Sequence, residues 1–118
     1  MNAIIITDYF KNSGFGNYLR SYYLYKYIKK QKNLKIDFKI LSKEKLNNKK
    51  YSIIILDLPI YNYNVKEIIK KFEKKNHRII ALDFILKYKI HCNISIFKKS
   101  IFAHKNYVGL KYSIIRNE

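Results

Sequence analysis

The sequence predicts an α/β fold: an open, mainly parallel sheet with flanking helices, in one domain over residues 1–118. Three observations carry that prediction. Short apolar runs rich in Ile recur along the chain, and such runs suit parallel strands buried on both faces. Two stretches of helical period alternate with them, which argues for helices covering both sides of a sheet. Three runs end in an aspartate, at Asp8, Asp57 and Asp83. A chain this long can bury one core but not two.

"AIIIT" (3–7) reads as the first buried strand, closed by Asp8. "SGFGNYLRS" (13–21) follows and holds two of only three glycines, Gly14 and Gly16. "NYLRSYYLYKYIKKQ" (17–31) reads as a helix. Leu19, Tyr23, Leu24, Tyr27 and Ile28 share one face of it. Lys26, Lys29 and Lys30 gather toward its C-terminal end, where cations suit the helix dipole. "LKIDFKI" (34–40) alternates strictly, the pattern of a half-exposed edge strand. "SKEKLNNKK" (42–50) is a polar connection, and "YSIIILDL" (51–58) is a second buried strand containing Asp57.

The second helix has a start signal. Asn64 can cap it, and Glu67 stands three residues on, as in a capping box. Val65, Ile68, Ile69 and Phe72 keep the helical period, and the helix is expected to close at Asn76. "RIIALDF" (78–84) is a third buried strand with Asp83, and "NISIF" (93–97) is a fourth candidate. "YVGLKYSII" (107–115) reads either as a loop or as a loop leading into a short strand.

Composition excludes some classes. The single cysteine, Cys92, cannot form an internal disulfide, which fits a reducing compartment. "MNAIIITDYF" lacks the basic start of a signal peptide. The longest span free of Lys and Arg, Tyr51 to Val65, is too short for a membrane helix. The expected setting is cytoplasmic, with peripheral membrane attachment left open. Net charge is +17, the footprint of a polyanion binder. A second cause competes, since Lys, Ile, Asn and Tyr have AT-rich codons and make up over half the chain. Only three basic residues are Arg, the residue preferred for bidentate phosphate and base contacts.

In open α/β sheets, ligands bind beyond the carboxyl ends of the strands. The glycine stretch and the three acids fall on that edge. A glycine turn entering a helix aims free N–H groups and a positive dipole end at an anion; the same turn also serves purely as a tight bend. Arg20, about one turn into the helix, can hold a phosphate or carboxylate, or pair with a strand-end acid. The full G-x-G-x-x-G pattern is absent, with Leu19 at the third glycine position, and there is no P-loop. His77, His91 and His104 do not have metal-site spacing with Cys92. No metal, no cofactor and no assured catalytic residue are therefore expected.

Three stretches together resemble the N-terminal half of the UDP-sugar hydrolases of pseudaminic acid synthesis. Proteins of spore-coat polysaccharide synthesis look similar. "SGFGNYLRSYYLYKYIKK" is similar to a G-x-G-H-x-x-R motif. "YSIIILDLPIYN" with "HRIIALDF" is similar to two acid-ended strands, the second usually Asp-Asp. "YVGLKYSIIRNE" is similar to a G-x-x-Y-x-x-[IL]-R segment. The resemblance implies a Rossmann-like half of a two-domain glycosyltransferase architecture, on the sugar or acceptor side. It implies substrate binding by Gly14, Gly16, Asn17, Arg20, Asp57 and Asp83, with Gly109, Tyr112 and Arg116 also matching. Asn17 stands at the family's catalytic histidine and Phe84 at the second Asp. An amide cannot accept a proton near neutral pH, so Asn17 can orient a group but not act as a base. The chain stops at Glu118, about where such a first domain hands over. The resemblance thus implies a domain inactive alone, whose nucleotide sits on a separate C-terminal subunit or which comes from a truncated gene. The alternative is a non-catalytic basic protein for nucleic acid or an anionic membrane surface.

Overall fold

A computed structural model describes residues 2–9, 16–31, 33–43, 49–58, 64–82, 90–95 and 103–108. Its first strand, β1 (Asn2–Thr7), is buried over almost its whole length. The chain then enters α1 (Gly16–Lys29) and returns as β2 (Lys35–Ile40), parallel to β1. β3 (Tyr51–Asp57) pairs with the other side of β1, again in parallel. α2 (Val65–Phe72) leads to β4 (Glu73–Leu82), and β5 (Ile90–Ser95) and β6 (Ala103–Val108) extend the sheet. The order is β2-β1-β3-β4-β5-β6, with every neighbouring pair parallel.

Strand direction of travel fixes where the helices lie. From β1 the chain steps one way to β2, and from β3 it steps the other way to β4. Right-handed crossovers therefore put the two helices on opposite faces. The core divides accordingly. Ala3, Ile5, Ile36 and Ile55 pack with Leu24, Tyr25 and Ile28 of α1. Ile4, Ile6, Ile54 and Leu56 pack with Ile68, Ile69 and Phe72 of α2. Alternate residues of one Ile run thus feed two layers, as the period of two along a strand demands.

The edge position expected for residues 34–40 is observed, since β2 borders the sheet. The cap of α2 is also observed: the Glu67 N–H donates to Asn64 Oδ1 at 3.2 Å. Other expectations change. α2 closes at Phe72, not Asn76. Lys50 Nζ donates to the carbonyls of Lys71 at 2.8 Å and Lys70 at 3.3 Å, so a distant cation meets the orphan C-terminal carbonyls. β4 starts at once, with Tyr51 opposite Glu73 and then Ile53 opposite Arg78, a register break that takes up the extra residues. β5 begins three residues before the expected strand, and β6 (Ala103–Val108) was not expected; of the stretch 107–115, read as a loop with or without a short strand, residues 109–115 lie outside the described residues.

The buried face of α1 is also displaced from the expected one. Leu19 is 40% exposed and Tyr27 64%, whereas Ser21 is fully buried. The stripe on the sheet is Ser21, Leu24, Tyr25 and Ile28, a spacing of i, i+3, i+4 and i+7. The Ser21 hydroxyl, bonded to the buried Asp57 carboxylate, turns the helix to that side.

Candidate functional site

β1 and β3 are neighbours in space, but the chain leaves them in opposite directions across the sheet. This is a topological switch point, where open α/β sheets leave a crevice at the carboxyl ends. Thr7 and Asp57 are register partners there. The N-terminus of α1 stands on the same edge, because α1 follows β1.

Asp57 is completely buried. Its Oδ2 accepts from Arg20 Nε at 2.9 Å and from the Ser21 hydroxyl at 2.6 Å. Its Oδ1 accepts from Arg20 Nη2. The guanidinium therefore grips the carboxylate through two parallel donors, the strong forked geometry. Arg20 Nη2 also lies 3.5 Å from the Leu82 carbonyl, so one side chain ties α1 to the ends of β3 and β4. The Arg20 side chain keeps 24% of its surface exposed. Of the partners open to Arg20, the strand-end acid is the one it takes. The guanidinium and the Ser21 hydroxyl together fix the orientation of this buried carboxylate, so the arrangement positions α1 against the end of β3.

Asp8, also buried, directly follows β1. Its Oδ1 accepts from the Tyr9 N–H at 2.9 Å, the Ser42 N–H at 3.2 Å and the Ser42 hydroxyl. The Leu41 N–H donates to the Thr7 carbonyl at 2.9 Å. The exit of β2 is thereby fastened to the exit of β1. Sequence reasoning missed Ser21 and Ser42. Ser21 had one signal, its helical register with Leu24, Tyr25 and Ile28; Ser42 had none beyond its place just after a strand.

Among the described residues, Thr7 Oγ1 is the one buried side-chain polar atom with no hydrogen-bond partner. An unmet buried hydroxyl costs about 1–3 kcal/mol. Its position beside Asp57, at the switch point, makes it a group able to meet a ligand.

Gly16 opens α1, and a Cβ built on it meets nothing within 4 Å. The protein's own packing therefore does not require glycine there. Asn17 lies in the first turn of α1. Gly14 and Asp83 lie outside the described residues, as do Phe84, Gly109, Tyr112 and Arg116. The structure thus brings Gly16, Arg20 and Asp57 to one edge of the sheet.

The histidines gather elsewhere, on three neighbouring strands. His77 and His91 rings are 6.2 Å apart, edge to face. His91 Nδ1 accepts from the Ile79 N–H at 3.0 Å. Partial desolvation of the His91 ring comes first in lowering its pKa below the ordinary value; the charges of Arg78, His77 and His104 add to it. No group of three His, Cys, Asp or Glu among the described residues could hold a metal ion. No helix among them is long and apolar enough to cross a membrane.

Fold and edge together define a class, a parallel α/β domain covered by helices on both faces, with a switch point between β1 and β3. No protein-family model, no curated protein and no solved structure matches the chain.

Proposed function

We propose that this chain is a nucleotide-sugar-processing domain of the UDP-sugar hydrolase or glycosyltransferase type, acting in surface polysaccharide or glycan synthesis. It is the sugar- or acceptor-side half, Rossmann-like, and a second domain holds the nucleotide. The observation that carries this reading is the Arg20–Asp57 pair. It joins two of the three motif stretches, 37 residues apart, at the edge where such sheets bind ligands. The unmet Thr7 hydroxyl beside that pair supports it. Gly16 leaves room for a ligand to approach the helix start, and Asn17 orients it without taking a proton.

Backbone amide NMR with N-acetylglucosamine and UDP-N-acetylglucosamine tests this. Both ligands are expected to shift the amides of Gly16–Arg20 and of Asp57 and Leu58, without turnover by the lone chain. Thr7→Val removes the hydroxyl at nearly constant shape and is expected to weaken binding about fivefold or more while leaving stability equal or higher. Absence of shifts at millimolar sugar, or shifts confined to other edges, rules the site out. Turnover by residues 1–118 alone rules out the need for a second domain.

A second reading, a non-catalytic binder of nucleic acid or anionic membrane, is favoured by the +17 charge. It requires affinity that falls steeply with salt.

A further inference from the structure

The described residues have four exposed large hydrophobics, and three of them lie on α1. Leu19 is 40% exposed, Tyr22 37% and Tyr27 64%. Lys26 and Lys30 complete the same stripe, and Lys29 flanks it; all three are exposed. The positions 19, 22, 26, 27 and 30 follow the helical period, and they are the complement of the stripe that faces the sheet. α1 contains no acidic residue at all. The next acid in the chain, Asp37, is on the far face of the sheet, where it takes a hydrogen bond from Tyr51. The outward face is therefore aromatic, aliphatic at one end, and uniformly positive.

We propose that this face of α1 is a docking surface for a lipid bilayer bearing anionic headgroups. The proposal stands whether or not the chain handles sugars. Tyrosines with an apolar body and a polar tip settle at the headgroup level, and lysine stems extend so that their ammonium groups reach phosphate and carboxylate oxygens. Leu19 and the Tyr27 ring supply the shallow apolar insertion, and the lysines supply the attraction to negative charge.

Two other occupants fit less well. Single-stranded nucleic acid is held in grooves with open ring faces for stacking and with arginine for phosphates. Here the surface is one convex helix, its cations are lysines, and Arg20 is committed to Asp57. Tyr22 is itself engaged, stacked on Tyr18 at 6.1 Å and covered by Lys26 at 5.7 Å. A leucine has no use in such a groove. A second copy of the chain would set Lys26, Lys29 and Lys30 against their own counterparts, and like charges repel.

The chain has no tryptophan, so Tyr27→Trp provides a single emission probe on this face, and Tyr107→Trp on β6 provides a control. Vesicles of phosphatidylcholine with about one-third phosphatidylserine are expected to shift emission of the Tyr27→Trp protein to the blue. Raised salt is expected to reverse the shift, and the Tyr107→Trp protein is expected not to respond. Leu19→Ser with Tyr27→Ser is expected to lower vesicle partitioning about tenfold or more, at an unchanged urea midpoint. An unmoved indole at position 27 with these vesicles overturns the proposal, as does an equal response from the control. A response to single-stranded RNA but not to vesicles overturns it in favour of nucleic acid.

Discussion

Arg20 and Asp57, 37 positions apart, form a forked ion pair in which Nε donates to Oδ2 at 2.9 Å and Nη2 donates to Oδ1. The two ends of the pair are not equally placed. The Asp57 side chain is fully buried, whereas Arg20 keeps 24% of its surface. Removing the arginine takes the paired positive charge away from a carboxylate in the interior, which keeps the Ser21 hydroxyl. Removing the acid leaves a guanidinium that can turn toward water. Arg20→Ala is therefore expected to cost about 3 kcal/mol and Asp57→Ala less. The double substitution should cost less than the two singles together, because the stranded charge is gone. Urea unfolding of the three variants measures this, and the reverse ranking would refute the account.

That pair also shows where sequence reading stops. The strands were legible because uninterrupted Ile runs have few other stable uses, and Asn64 with Glu67 marked the start of α2 through purely local chemistry. The orientation of α1 was not legible. Tyr residues at 18, 22, 23, 25 and 27 make nearly every side of that helix apolar, so its period cannot select a face. The choice is made by Ser21 and Arg20 reaching Asp57, a contact between distant segments. The end of α2 escaped for the same reason, since the cation at its last carbonyls is Lys50, 20 residues from Lys70. The strand-end acids were visible as candidates, and Arg20 as a partner for one of them, but the burial of Asp8 and Asp57 and their bonds to Ser42 and Ser21 were not.

Gly16 separates folding from binding. With nothing within 4 Å of a Cβ there, alanine fits without displacement. It also costs the unfolded chain less entropy. Gly16→Ala is thus expected to leave stability unchanged or raise it by about 0.5 kcal/mol. If a sugar or phosphate approaches the start of α1, the same methyl group should weaken its binding severalfold. Thermal unfolding and a ligand titration on one variant give both answers. Lower stability contradicts the open space, and unchanged affinity contradicts a ligand at that point.

His91 makes stability respond to mild acid. Its pKa is lowered in the folded protein, first by desolvation and then by Arg78, His77 and His104, and its Nδ1 must stay unprotonated to accept from the Ile79 N–H. The unfolded chain then binds the proton more readily than the folded one. The stabilisation is complete above the ordinary histidine value and is lost as pH falls through the lowered one. Urea midpoints should decline as pH falls below the ordinary histidine value of about 6.5, and His91→Gln should flatten that decline. A decline of the same size in the variant would assign it to other groups.

Tyr51 and Asp37 set the response at lower pH. The Tyr51 hydroxyl donates to Asp37 Oδ2 across the intervening strand β1, and Lys49 Nζ lies 3.2 Å from the same oxygen. The tyrosine hydrogen bond is the first cause of the lowered Asp37 pKa, and burial opposes it. Here the folded protein holds the proton less tightly than the unfolded chain. The contribution is present above the ordinary carboxylate value and is lost as pH falls through the lowered one. Tyr51→Phe deletes the hydroxyl while keeping the ring that packs on Phe72 with centroids 5.8 Å apart. Asp37 is partly exposed, so water replaces much of the lost bond, and the cost at neutral pH is expected to be about 1 kcal/mol. That difference should begin to shrink as pH falls below the ordinary carboxylate value of about 4, and it should vanish only once pH has passed the lowered value and Asp37 is protonated in both proteins. Urea unfolding of the two proteins across that range decides it. A gap that stays constant down to the acid limit would show that the Tyr51 hydroxyl contributes independently of the charge on Asp37, and the hold on β2 would then rest on its pairing with β1, the Leu41 and Ser42 bonds and the packing of Ile36 against α1.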